Sequence, residues 1–208
     1  MSQQPPINPN LLTAARLPLA PLAVVFMYIG AHDPLNPEPW ALLVAAVVAV
    51  LLELTDIMDG QIARRYGMVT NFGKLFDPFS DAFCRFTLFL GLYAIGVAEL
   101  WMIMVIFYRD ASISFFRSVA AIRNVVLAAR PSGKFKAIVQ GVGTQVIFVA
   151  LVLFAYQPHF TWLETIPYWT MVVITLITGA SFFDYFFGNL KILREAWSEE
   201  PLKGQGDA

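Results

Sequence analysis

The chain has 208 residues, 58% of them hydrophobic, with a mean hydropathy of +0.63 and a net charge of −1. Soluble domains hold ~45–50% apolar residues, so the composition points to one membrane-embedded bundle and leaves no length for a second sizeable domain. Cys84 is the only cysteine, which excludes an intrachain disulfide and a cysteine-cluster metal site; nothing points to nucleic acid.

Residues 1–9 are polar and proline-rich, a flexible N-terminus with no persuasive cleavage site of a signal peptide. Next comes Pro9-Asn10-Leu11-Leu12-Thr13-Ala14-Ala15-Arg16, read as a short interfacial segment. Asn10 or Thr13 is placed to cap a helix or a helical half-turn at the membrane surface. An apolar run over 17–31 follows, with Pro18 and Pro21 positioned to kink it. Residues 32–39 hold three prolines and form a connection. A second run, 40–54, flows directly into Asp56-Ile57-Met58-Asp59-Gly60-Gln61-Ile62-Ala63-Arg64.

After a polar turn, the third helix is expected near Gly73, with Asp77, Pro78 and Asp81 in its first turns, and runs apolar to about Val97. Glu99 marks a tight connection. The fourth run starts at Leu100 and turns basic at Arg109, Arg117, Arg123 and Arg130. Pro131-Ser132-Gly133 breaks it. Lys134 and Lys136 open the fifth run, which lasts to Tyr156; Gly141 and Gly143 in it read as close helix packing. Residues 157–167 are a loop, 168–190 the sixth run, and 195–208 a disordered polar tail.

Each run approaches the ~20 residues that span a bilayer core. The fold expected is therefore an all-α integral membrane bundle of six transmembrane helices occupying residues 10–194, with both termini on one side. All 14 Lys and Arg residues fall on or near the side of the termini, and loops 32–39, 96–100 and 157–167 contain none. By the positive-inside rule that side is cytoplasmic. Trp40, Trp101, Trp162 and Trp169 lie at the opposite ends, as an interfacial belt does.

Four aspartates in one short window carry the chemistry. Asp56 and Asp59 are three apart and Asp77 and Asp81 four apart, so on helices each pair shares a face. Two neighbouring helices could thus offer two carboxylate pairs to one space. Ionised together, they repel unless cations hold them or some take up protons. Oxygen ligands of this kind favour Mg²⁺ or Mn²⁺ over zinc. Gly60 clears space beside the backbone, and Arg64, two turns past Asp56, offers a guanidinium suited to phosphate. The bland reading of the same residues is a set of helix-end aspartates beside a cytoplasmic loop.

The pattern resembles the signature of the CDP-alcohol phosphotransferase family, D-x-x-D-G-x-x-A-R, eight residues, G-x-x-x-D-x-x-x-D. Asp56, Asp59, Gly60, Ala63, Arg64, Gly73, Asp77 and Asp81 fill every specified position. The resemblance implies transfer of the phosphatidyl group of CDP-diacylglycerol to a small alcohol, with release of CMP. It implies two divalent ions held by Asp56, Asp59, Asp77 and Asp81, with Asp81 also the base. It assigns Gly60, Ala63, Arg64, Thr70 and Gly73 to the CDP portion, with Asn10 and Thr13 touching the head group. A homodimer is implied too.

Arg109, Arg117, Lys134 and Lys136 gather four cations in one interfacial stretch, suited to a phosphorylated acceptor. Positive-inside topology and attraction to anionic lipids explain such cations equally well one by one. Arg109-Asp110, Arg117, Ser132-Gly133-Lys134-x-Lys136 and Gln140 resemble the phosphatidylglycerophosphate synthase branch, which implies glycerol 3-phosphate as acceptor. Ala82 departs from that branch, where a lysine commonly follows the last aspartate; inositol phosphate or another alcohol stays open. Arg85, one turn past Asp81, either faces the site or snorkels to the surface. A reading of a different class is an ion or metal transporter with an intramembrane aspartate site, but that wants acids near the midplane and repeated halves.

Overall fold

The computed structural model describes residues 9–33, 35–65, 71–122 and 131–190. Among the described residues, six α-helices follow one another: α1 (Pro9–Ala31), α2 (Pro39–Arg65), α3 (Asn71–Ala94), α4 (Leu100–Ile122), α5 (Pro131–Tyr156) and α6 (Trp162–Gly188). Four of them, α1, α2, α5 and α6, are long and apolar enough to cross a membrane. The other two have similar lengths, 24 and 23 residues, and carry Asp77, Asp81 and Arg85 (α3) and Arg109, Asp110 and Arg117 (α4). The expected disordered tail, 195–208, lies outside the described residues, as does nearly all of the expected flexible N-terminus.

Large apolar side chains cover the outside. Val142, Val146, Val149 and Leu153 form one exposed stripe along α5, and Trp169, Val173 and Leu176 form another on α6. On a water-soluble domain such surface would be prohibitive; against lipid tails it is matched. Inside, small residues let backbones approach. Ala20 and Ala23 of α1 and Ala45 and Ala49 of α2 are buried in one cluster with Met27, Leu88, Phe89 and Leu92. Gly143 packs α5 onto α6, since a Cβ there would lie 2.7 Å from Ile174 Cδ1. Gln145 Nε2 ties α5 to α2 through the Ala49 carbonyl at 3.2 Å.

Three boundaries differ from the sequence reading. The segment from Pro9 to Arg16 is no separate interfacial piece but the first two turns of α1, which runs unbroken through Pro18 and Pro21. Its polar side chains, Thr13 and Arg16, are anchored on acids of α2 and α3, which holds those turns in the bundle. Thr13 is therefore a buried interior residue, not a cap. Pro131 opens α5 instead of ending α4 in a loop, because the first helical position needs no backbone N–H. α6 begins at Trp162 and carries Pro167 within it, at the loss of one backbone hydrogen bond.

At the tryptophan-bearing end, the α3–α4 turn uses Gly96 at φ 77°, the left-handed region where glycine alone is unstrained. Glu99 then accepts hydrogen bonds from Trp101 Nε1 and Tyr168 Oη, both at 2.8 Å, tying that turn to α6. At the same end α1 and α2 touch at Gly30, where a Cβ would sit 2.8 Å from the Leu42 backbone nitrogen. Backbone cannot yield as a side-chain tip does, so Gly30→Ala is expected to cost about 1–3 kcal/mol. A thermal scan in detergent showing an unchanged midpoint for Gly30→Ala would contradict this packing.

Candidate active site

The four aspartates reach their places because α2 and α3 both pack on the first turns of α1. α1 thus lies in the space that the two acid-bearing helices were expected to share directly. Ser80 Oγ donates to the Thr13 carbonyl at 3.2 Å, which pins the start of α3 to α1. Cys84 is buried beside it, with its Sγ 3.5 Å from the Arg16 carbonyl.

Arg16 is the centre of this arrangement. It is 2% exposed and spans two acids, with Nη1 paired to Asp56 and Nη2 to Asp59 Oδ2 at 2.9 Å. Thr13 Oγ1 lies 2.9 Å from Asp59 Oδ2 and 3.1 Å from Asp77 Oδ1, so one hydroxyl bridges the carboxylates of α2 and α3. Its single proton can serve only one of them at a time. Asp81 is held by Arg85, whose Nε donates to Oδ1 at 2.8 Å. The same guanidinium lies 3.5 Å from Glu53 Oε1 and donates to the Ala137 carbonyl of α5 at 3.0 Å. Asp56, Asp81, Arg16, Arg85 and Glu53 line one small cavity of about 20 Å³ between α1, α2, α3 and α5.

So all four aspartates gather around the N-terminal turns of α1. Among the described residues, however, no three acidic, histidine or cysteine side chains converge as the ligands of one ion. The physical reason is visible: a guanidinium and a hydroxyl stand between the carboxylates. The donor set is nonetheless the one that hard divalent cations use, oxygen only and rich in charge, and the cation lodged between Asp56 and Asp59 shows that these acids demand positive charge.

Other expected positions are distributed around this centre. Asn10 lies on the first turn of α1, and Gly60 and Gly73 lie near the facing ends of α2 and α3, Gly73 buried. Ala63 and Arg64 belong to the last turn of α2, but their side chains are outside those described, and Thr70 lies outside the described residues. Of the four expected acceptor cations, two come together. Arg109 Nη1 and Lys136 Nζ both bind Asp110 Oδ1, at 2.7 and 2.9 Å, and Arg109 Nε donates to Ser181 Oγ at 3.0 Å. Arg117 and Lys134 are exposed and join no ion pair among the described residues.

The sequence profile of the CDP-alcohol phosphatidyltransferase family matches residues 7–178. The chain belongs to that family. It is thereby an enzyme of the phosphatidyltransferase type. A Bacillus subtilis (strain 168) protein named CDP-diacylglycerol–glycerol-3-phosphate 3-phosphatidyltransferase is 30% identical over 196 residues, covering 89% of this chain and 96% of the relative. Proteins of the same name from Rickettsia bellii (strain RML369-C) and Treponema pallidum (strain Nichols) are 29% and 31% identical. They cover 84% and 71% of this chain, and 92% and 74% of their own lengths.

Several residues at the site escape sequence reading. Glu53 stands one turn before Asp56 and faces the same cavity; its spacing is the signal that could have found it. Ser181 and Asp184 have no such signal. Ser132 Oγ donates to Asp184, and Asp110 joins α4 to α5, only because α4, α5 and α6 meet at that end.

Proposed function

We propose that this enzyme moves the phosphatidyl group of CDP-diacylglycerol onto glycerol 3-phosphate and releases CMP, the activity named for its relatives. The observation that carries the reading is the meeting of Asp59 and Asp77, from different helices, on one Thr13 hydroxyl beside the Arg16-bound Asp56. In this reading all six helices span the membrane, with the termini and the site at the cytoplasmic face. The absence of Lys and Arg from loops 32–39, 96–100 and 157–167 supports that orientation. Pairing of two chains belongs to the same reading and rests on the family resemblance.

Asp56, Asp59, Asp77 and Asp81 would hold two divalent ions, Mg²⁺ or Mn²⁺, which when bound would supply positive charge for the pyrophosphate and the departing CMP. Asp81 takes the proton from the acceptor hydroxyl. The acceptor oxygen bonds to the phosphorus that carries diacylglycerol, and the bond from that phosphorus to CMP breaks. The resemblance assigns Gly60, Ala63, Arg64, Thr70 and Gly73 to the CDP portion, and Asn10 and Thr13 to its head group. Arg109 and Lys136 bind the acceptor phosphate, kept close to each other by Asp110; Arg117 and Lys134 attract it from the surface.

Detergent-purified protein is to be given CDP-diacylglycerol, Mg²⁺ and, in separate reactions, glycerol 3-phosphate, inositol phosphate and glycerol. CMP and a new phospholipid are expected with glycerol 3-phosphate. Release of CMP only with inositol phosphate would move the acceptor assignment, and metal uptake into vesicles without CMP release would replace the enzyme by a transporter. Lys136→Met is expected to raise the KM for glycerol 3-phosphate about tenfold or more, the worth of a charge-assisted hydrogen bond. The KM for CDP-diacylglycerol should stay within about threefold; equal rises in both would put Lys136 outside the acceptor site.

A further inference from the structure

Glu53 and Arg85 have no part in the reaction as described so far. Yet the Arg85 side chain is only 13% exposed, deep among apolar helices. Each of its three nitrogens is directed at a different partner: Nε at Asp81 on its own helix α3, Nη1 at the Ala137 carbonyl of α5, and Nη2 at Glu53 of α2. A planar guanidinium met from three helices has no rotational freedom left. Glu53 in turn lies where Gly141 has no side chain: a Cβ there would sit 2.4 Å from its Oε1, so the carboxylate would have to turn away from this position.

We propose that Glu53 and Arg85 are positioning residues: with the Ala137 carbonyl they form a strut across α2, α3 and α5 that fixes the angle of the Asp81 carboxylate. The strut takes up Oδ1 and leaves Oδ2 to act. Without it, the aspartate of an ordinary helix exchanges between staggered side-chain rotamers. The proposal rests on phosphatidyl transfer at Asp81, and it makes Gly141 a residue whose absent side chain serves the reaction.

The test compares Arg85→Lys, Glu53→Gln and the double variant with the wild-type enzyme. Lysine keeps the charge and one bond but not the planar fork. Arg85→Lys is expected to lower kcat about 10–100-fold, the usual effect of losing a group that orients a ligand. KM for both substrates should stay within about threefold, and Mn²⁺ binding, titrated by electron paramagnetic resonance, should weaken about tenfold. Glu53→Gln should lower kcat less, and should add nothing once Arg85 is lysine, since both act through one carboxylate. The strut is overturned by a kcat within about twofold of wild type in Arg85→Lys, or by effects of the two substitutions that multiply. If Arg85→Lys fails to fold, the near-isosteric Glu53→Gln decides by its kcat. If the wild-type protein releases no CMP with any acceptor, phosphatidyl transfer is the reading that fails. The Mn²⁺ titration then decides the strut alone, a tenfold weakening supporting it and an unchanged affinity overturning it.

Discussion

Asp81→Asn is expected to abolish CMP release, lowering kcat by about a thousandfold or more, while the protein purifies and unfolds as the wild type does. Asparagine keeps the shape of the side chain and an oxygen to accept from Arg85 Nε. It removes the charge and the basicity, which general base catalysis makes worth ~10²–10⁴-fold, and it removes a ligand for a hard cation. The guanidinium of Arg85 keeps two partners, Glu53 and the Ala137 carbonyl, so the local packing survives. The measurement is single-variant kinetics at saturating Mg²⁺, with the elution profile in detergent as the folding control. An Asp81→Asn enzyme with more than a tenth of the wild-type rate would show that the last aspartate of the motif is neither base nor essential ligand.

The second large effect concerns stability. Arg16→Gln leaves Asp59, itself 3% exposed, without its cation, and takes from Asp56 the guanidinium it pairs with. Removing one partner of a buried pair costs about 3–5 kcal/mol; Asp56 is partly open to solvent, which argues for the lower end, roughly 3 kcal/mol. Tryptophan fluorescence during heating in detergent and chelator should show the loss as a midpoint several degrees lower. Saturating Mg²⁺ should then recover more stability in Arg16→Gln than in the wild-type protein, because the ion binds the folded state and replaces the missing charge. Equal midpoints with and without Arg16 in chelator would mean that its two ion pairs contribute nothing to holding α1 between α2 and α3.

Much of this was legible in the chain. The spacing of Asp56, Asp59, Asp77 and Asp81 needs only helical periodicity to put each pair on one face, and both helices formed as expected. The apolar runs announced the six helices, and Gly143 its packing role, because hydrophobicity and small size act locally. What could not be read depends on which helices meet. Arg16 belongs to an N-terminal segment that looks interfacial; its partners are 40 and 43 residues away. Arg85 could equally snorkel or turn inward, and the acid of α2 that draws it inward, Glu53, lies 32 positions earlier in the sequence. Lys136 looks like a surface cation from its neighbours and is buried against Asp110 of α4. Proline misled the boundaries of α5 and α6, since it is a stop signal in a lone chain and a tolerated residue in a packed helix.

The measurement that bears most directly on the account is the position of Mn²⁺ in crystals of the protein grown with CDP-diacylglycerol, read from anomalous scattering. Two peaks bounded by the carboxylates of Asp56, Asp59, Asp77 and Asp81, with the Arg16 guanidinium turned away from Asp56 and Asp59, is the result expected. Manganese bound elsewhere, with Arg16 still seated between those two acids and the nucleotide lying against them, would contradict it.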